Sequence, residues 1–342
     1  MLKKYLLPFI ALVILIVVAV AVVRISFFSN ALHKEATIYL RTDEIESKGY
    51  EGVLNETIKP HIKYQLAFDL YADRLNLQST IKAGYYTLRE GMTVIDIVRM
   101  LKLGNQTPVT LTFNNIRTLE QLAGRVASQI ESDSLQIVEC LSDPDIFRRF
   151  KVSSKEAMIA YFIPNSYDVY WTITPEALIT RMYAESAKFW NSERLAKAEA
   201  LNLSCEEVVT LASIVYEETA QEDEMARVAG VYVNRLRIGM PLQADPTVRY
   251  ALGDFTIKRI LYKHLSVDSP YNTYKFRGLP PTPIAMPSIA AIEAVLNYEK
   301  HKYLYFCARP TFDGYHNFAK TLSQHNINAR AYSKALKSHN IK

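Results

Sequence analysis

The sequence predicts an α+β protein: an N-terminal transmembrane helix, a small α+β unit, and a larger mixed α+β unit. Three observations predict this. Residues Tyr5–Val23 form an unbroken apolar run, YLLPFIALVILIVVAVAVV. Strand-like alternation and helix-like spacing then succeed one another within residues 33–109. From Pro108 onward, helical stretches alternate with short strands and long Pro-rich loops. The expected divisions are 1–28 for tip and anchor, 33–109 for the small unit and 110–342 for the larger one, a size that 342 residues accommodate.

The apolar run matches the roughly 20 residues that a helix needs to cross a bilayer. A cleaved signal peptide, with an apolar core of about 7–15 residues, is the rival reading, and Ser29 and Ala31 offer it a small-x-small site. No cysteine follows the run, which argues against a lipoprotein anchor. Lys3 and Lys4 precede it and Arg24 follows, a modest bias toward a cytoplasmic N-terminus. Either reading exports everything after Phe28. Length favours the retained anchor.

In the small unit, Glu35–Arg41 alternates like a strand, Tyr64–Leu75 spaces its apolar residues like a helix, and Lys82–Leu88 is a second strand. The chain turns at residues 89–92. Thr93 then caps a helix over Val94–Gly104, with Gly104 as its stop. Pro108–Phe113 begins the larger unit. Its helical segments are Thr118–Glu131, Pro175–Glu199, Cys205–Leu236 and Ser288–Asn297, followed by a strand at Tyr303–Ala308. The connections Pro241–Thr247 and Asp268–Pro287 are long, and long loops on a rigid scaffold often carry function.

Composition narrows the function classes. Apolar residues make up 49% and charged residues 22%, enough to bury a core. The net charge of +5 arises from 40 basic and 35 acidic residues with no long basic run, so no nucleic-acid partner is expected. The 22 tyrosines outnumber 14 phenylalanines and 2 tryptophans, which suits a groove for polar, partly apolar ligands, and equally suits sheets. Cys140, Cys205 and Cys307 are scattered, with neither a disulfide framework nor zinc spacing. No cofactor or metal is indicated.

The informative segment is Leu203–Glu224. Ser204 and Glu207 form a capping box, so a helix begins near Cys205. At about 100° per residue, Val208, Leu211, Ile214 and Val215 share one face, and Glu218 falls within that stripe. Glu217 points the other way with Thr210, Ser213 and Glu224, as a solvated surface residue would. A carboxyl on an apolar face is costly to ionise, so its pKa rises toward the range a general acid needs. Against this stands a structural reading in which Glu218 pairs with an arginine such as Arg235. Glu222, near the same phase if the helix continues, is the second candidate.

LASIVYEET (Leu211–Thr219), NRLRIGMPLQADPTVRY (Asn234–Tyr250), SPYNTYKFRGLPPTPIAMPS (Ser269–Ser288), and YLYFCA with HNFAKTLSQHN (within Tyr303–Asn326) together resemble the YceG-like family. Its enzymatic members are endolytic murein transglycosylases. The resemblance covers nearly the whole chain, and KAGYYTLREGMTVIDIVRMLKLG looks like the family's LysM-like segment. It implies a peptidoglycan lytic transglycosylase, in which one glutamic acid protonates the glycosidic oxygen and then accepts the proton of the muramic C6 hydroxyl. The product is a 1,6-anhydromuramic end. Where relatives carry an acidic residue this chain has Tyr216, so the catalytic glutamate maps onto Glu218.

The resemblance further implies a glycan groove lined by Gln243, Asp245, Tyr271, Asn272, Thr273, Tyr274 and Asn317; His316 is read as structural. The bland alternative for these blocks is loop geometry, with Asp245 as a cap or loop-ordering carboxylate. Peptidoglycan strands are the implied partner, with a peptidoglycan synthase as a second. The expected location is the cytoplasmic (inner) membrane, with the catalytic unit on the extracytoplasmic side. Two alternatives stay open: a hydrolytic muramidase using Asp245 as second carboxylate, and a non-catalytic wall-binding protein.

Overall fold

The computed structural model describes residues 2–339, so the outermost ends of the expected ranges, residue 1 and residues 340–342, lie outside the described residues. The chain divides into two compact units. One runs to Leu111 and takes in Gln129–Ser132 and Tyr167–Ile173; the other is Thr112–Ser128, Asp133–Ser166 and the described chain from Thr174 on.

In the first unit, the apolar run forms helix α1 (Leu2–Phe28), whose window Leu6–Phe28 is long and apolar enough to cross a membrane. Its large apolar side chains stand exposed from Leu6 to Ile25. Beyond it, β1 (Ala36–Leu40), α2 (Thr42–Val53), α3 (Gln65–Arg74), β2 (Gly84–Leu88) and α4 (Val94–Leu103) follow. The strands pair antiparallel, from Ala36 opposite Leu88 to Leu40 opposite Gly84. Ile38, Leu40, Tyr86 and Leu88 point inward onto Phe68, Ile97 and Leu101. Thr93 caps α4 by accepting from the Asp96 amide at 3.2 Å, and Gly104 ends it at φ +72°. Sequence periodicity missed α2, because Gly49, at φ +67°, interrupts the helical backbone.

Next, β3 (Val109–Thr112) pairs with β4 (Ser166–Val169) in a two-stranded sheet. Between them lie α5 (Leu119–Ala127), α6 (Ser134–Leu141) and α7 (Pro144–Phe150). The core of the second unit is built on α9 (Ser192–Ala200), α10 (Cys205–Glu218), α11 (Glu222–Arg237) and α13 (Ile289–Leu296), with Phe189 of α8 (Pro175–Phe189) and Tyr250 of α12 (Asp245–Leu252) packed against it. The chain closes with the antiparallel pair β5 (Tyr305–Ala308) and β6 (His316–Ala319), then α14 (Leu322–Ser338).

Two expected long helices are each two helices. Pro175–Glu199 breaks where Asn191 starts α9, accepting from the Arg194 amide at 3.0 Å. Cys205–Leu236 breaks at Thr219, whose backbone is extended (φ −142°, ψ 135°) and whose hydroxyl accepts from the Gln221 amide at 3.1 Å. A side chain that captures a nearby amide competes with the helical ladder. The break sets Glu218 at the last turn of α10 and starts α11 on a new phase.

Helix α10 is the central strut. Every residue from Val208 to Val215 is buried, so it has no solvent face along that stretch. Ser213 accepts from the buried Ile284 amide at 3.0 Å and donates to the Thr210 carbonyl. Helix α11 grips the lead-in to β5: Asn234 donates to the carbonyls of His301 (2.9 Å) and Tyr303 (3.0 Å), and Arg235 to that of Leu304 (2.7 Å). Gly230 permits this approach, since a Cβ there would collide with the Glu299 carbonyl. The β5–β6 pair is thereby held beside the end of α10.

Candidate active site

Glu218, Tyr232, Arg235, Gln243, Asp245, Tyr274, the β5 residues Tyr305–Ala308, His316 and His325 line one cavity of about 420 Å³. Five pieces of chain make it: the last turn of α10, the inner face of α11, the 242–245 loop with Tyr274, the β5–β6 pair, and the start of α14 with Leu322 and His325. The volume is that of a ligand cleft with a few convergent polar groups.

At its floor the Tyr232 hydroxyl donates to Glu218 Oε1 at 2.7 Å. Burial pushes the Glu218 carboxyl up to about 7. The Tyr232 bond opposes that rise, the Asp245 carboxylate adds to it, and Arg235 and Arg249 weakly oppose it. Burial, then the Glu218 charge, drives the Tyr232 phenol well above its ordinary range, so it remains a donor. Arg235 does not pair with Glu218. Its guanidinium is held by the carbonyls of Leu304 (2.7 Å) and Leu242 (2.6 Å). The structural reading of Glu218 as the partner of Arg235 is thereby corrected: the backbone carbonyls are nearer and hold that charge.

The 242–245 loop supplies the second polar group. Leu242 and Ala244 are fully buried and Gln243 sits between them in the left-handed region, φ +51°, unusual for a residue with a Cβ. The side chain so placed lines the cavity. Asp245 opens α12 with Pro246 behind it, and its Oδ1 accepts from the Tyr274 hydroxyl at 2.6 Å. Burial and that carboxylate drive the Tyr274 phenol above its ordinary range.

Of the residues expected in the groove, Gln243, Asp245 and Tyr274 meet Glu218 in the cavity and four do not line it. Asn272 is fully buried and donates to the carbonyls of Leu265 (3.0 Å) and Val267 (2.8 Å). Thr273, 1% exposed, accepts from the Ala244 amide at 3.0 Å and lies 2.8 Å from the Thr247 hydroxyl. Tyr271 packs on Tyr250, ring centroids 4.7 Å apart, with its hydroxyl 2.6 Å from that of Thr282. Asn317 sits in β6 opposite Cys307. The YNTY segment therefore places one side chain, Tyr274, in the cavity and uses the other three to anchor the loops beneath it.

Glu217, expected at the surface, is largely covered, and Glu224, placed on the same face, is buried. The Glu217 side chain is 9% exposed and receives Arg117 Nη2 at 2.8 and 3.2 Å, with Arg249 Nη1 at 3.9 Å. Helical phase identified the opposite face correctly, but that face meets protein. Glu224, 1% exposed, accepts from the His316 amide (2.9 Å) and from His316 Nδ1 (2.7 Å). Glu222, the second candidate, is the exposed first residue of α11, outside the cavity. Residues not anticipated are Tyr232 and the wall of Tyr305, Phe306 and His325. Tyr232 had a signal: a phenol on the apolar face of the next helix. Among the described residues, no group of three or more His, Cys, Asp or Glu side chains could hold a metal ion.

A carboxyl lifted to about 7 by burial, bonded to a phenol and sharing a cleft with a second carboxylate, is an arrangement that suits acid/base chemistry. The chain belongs to the YceG-like family, which it matches over residues 51–331. It is 32% identical over 296 residues to the endolytic murein transglycosylase of Bacillus subtilis (strain 168), covering 82% of this chain and 80% of that one. To the endolytic murein transglycosylase of Streptococcus pneumoniae serotype 2 it is 30% identical over 78% of its length, and it spans about half (53%) of that relative. The crystal structure of a YceG-like protein from Listeria monocytogenes superposes with a TM-score of 0.57 at 28% identity, covering 86% of this chain and 98% of that one.

Proposed function

We propose that the protein is a lytic transglycosylase that cleaves peptidoglycan strands between N-acetylmuramic acid and N-acetylglucosamine. The observation that carries this is the placement of Glu218 at the end of a buried helix and on a cleft, where burial pushes its carboxyl up to about 7. Glu218 gives its proton to the glycosidic oxygen as the C1–O bond breaks. The muramic C6 hydroxyl attacks C1, and its proton passes to the Glu218 carboxylate, which restores the enzyme. No water is consumed, and one acid/base group serves both steps. The Tyr232 bond holds the carboxyl in place and eases its ionised form. Asp245, kept in register by Tyr274, offers negative charge to the oxocarbenium-like centre. Gln243 supplies an amide for acetamido or hydroxyl groups.

The presence of Asp245 in the same cavity keeps a hydrolytic muramidase as the second reading. Mass spectrometry of peptidoglycan digested by the purified full-length protein separates them. Anhydromuramic ends are expected; reducing muramic ends would replace the first reading by the second, and no release would leave a wall-binding protein.

The reading places the cavity outside the cytoplasmic membrane, with α1 as a retained anchor. Support comes from Ala31: it is fully buried in the small unit, its amide donates to the Met92 carbonyl at 2.8 Å, and its carbonyl accepts from the Lys63 amide at 2.8 Å. Cleavage after Ala31 would strip those bonds and open the core. Protein extracted from membranes should keep its full N-terminal mass; a mature chain beginning at Leu32 would refute the anchor. The small unit, with two antiparallel strands enclosing two helices in sequence, is read as the family's LysM-like part.

A further inference from the structure

The β6 wall of the cavity carries a histidine whose arrangement exceeds what packing needs. Glu224 lies in the first turn of α11, six residues after Glu218 and beyond the Thr219 break. Its buried carboxylate must be satisfied, and it takes the His316 amide at 2.9 Å and, weakly, the Thr219 hydroxyl at 3.5 Å. Those bonds would suffice to tie β6 to α11. Instead the carboxylate also takes the ring, at Nδ1, at 2.7 Å. With Glu224 ionised, Nδ1 is the donor, so in the neutral ring Nε2 is an acceptor. Phe306 meets the ring edge-on, centroids 5.2 Å apart at 83°, and limits its rotation. The side chain remains 13% exposed and lines the Glu218 cavity, and Nε2 makes no hydrogen bond among the described residues.

We propose that His316 contacts the glycan in the Glu218 cavity, its Nε2 accepting a hydrogen bond from a sugar hydroxyl, with Glu224 as the positioning residue that fixes the ring. This rests on the glycan-cleaving reading of the same site. A ring anchored through one nitrogen presents the other with little conformational freedom left to lose, which is how a side chain orients a bound strand for attack. It also links two elements: the junction that ends α10 at the acid leads into the first turn of α11, which holds the residue that sets the histidine.

His316→Asn keeps an amide near Nδ1, able to hold Glu224, and deletes the Nε2 contact. It should melt as the wild type does while kcat/KM on glycan strands falls roughly 3–10-fold, the loss of one well-placed hydrogen bond to a neutral group. His316→Gln, with its amide nearer Nε2, should recover part of that loss. Wild-type kcat/KM in His316→Asn overturns the proposal. Should that variant not fold, the full-length Glu218→Gln protein is titrated with soluble glycan strands freed of stem peptides, and the His316 Hε1 resonance is followed by NMR. A shift supports the contact. Shifts at Tyr232 and Tyr274 without one at His316 overturn it while leaving the glycan reading intact; no shift anywhere overturns both.

Discussion

Replacing Glu218 by Gln is expected to cut release of anhydromuramic ends by about 10²–10⁴-fold, the range that a general acid/base contributes. The amide is isosteric and can still accept from Tyr232, so the cleft should keep its shape. The wild-type pH profile should carry the same signature. The acid must be protonated to act, so kcat/KM should fall as pH rises through about 7, the value to which burial lifts Glu218. Neighbours then move that limb in opposite directions. Tyr232→Phe removes a donor that favours the carboxylate, and a hydrogen bond to a charged group is worth about 1.5–3 kcal/mol, so the limb should shift to higher pH by about one to two units. Asp245→Asn removes a negative charge that raises Glu218, so the limb should shift to lower pH. A limb that ignores both substitutions, or full activity in Glu218→Gln, would place the acid elsewhere.

The part of this site legible in the sequence was the part written in local periodicity. Ser204 and Glu207 mark where α10 starts, and counting 100° steps from Val208 aims Glu218 at the apolar side. Thr93 and Gly104 bracket α4 in the same way. What was not legible came from long-range packing. Wheel geometry tells which residues share a face but not what that face meets, so Glu217 was expected in water and is gripped by Arg117, a hundred positions earlier. The Thr219 break cost more. Treating Cys205–Leu236 as continuous carried the phase past residue 219 and put Glu224 beside Glu217, whereas the restart at Glu222 turns it inward to His316.

The SPYNTYKF block shows the complementary lesson. A motif within a family preserves whatever a site needs, scaffolding included. Thr273 and Asn272 hold the backbone of the 244 and 265–267 loops, and Tyr271 seals Tyr250 and Thr282, so that Tyr274 alone reaches the cavity. The sequence could single out the block; only the hydrogen bonds separate the side chain that lines the cavity from those that shape the loop. The same holds for HNF: His316 faces the cavity and Asn317 pairs opposite Cys307.

Glu218→Gln should also stabilise the protein, in a pH window set by the carboxyl it removes. In the unfolded chain a glutamate ionises near 4.5, while in the fold this one holds its proton to about 7. Between those values the folded state binds more protons than the unfolded state, so the Glu218 contribution to stability declines with rising pH and levels off above 7. The direction is opposite to that of a salt-bridged carboxylate. At pH 4.5 both wild type and variant carry a neutral group at 218 and should melt together. At pH 8 the wild type must hold a charge in a site that disfavours it, and the amide need not. The shift corresponds to on the order of 2–3 kcal/mol after allowing for the partial access of the side chain to the cavity, or roughly 5–10 °C in Tm for a unit of this size. Taking the difference between the two proteins at each pH cancels every other titrating group. A Tm difference that stays flat from pH 4.5 to 8 would mean that the carboxyl ionises as freely in the fold as in water. Such a carboxyl could not keep the proton that the glycosidic oxygen must receive.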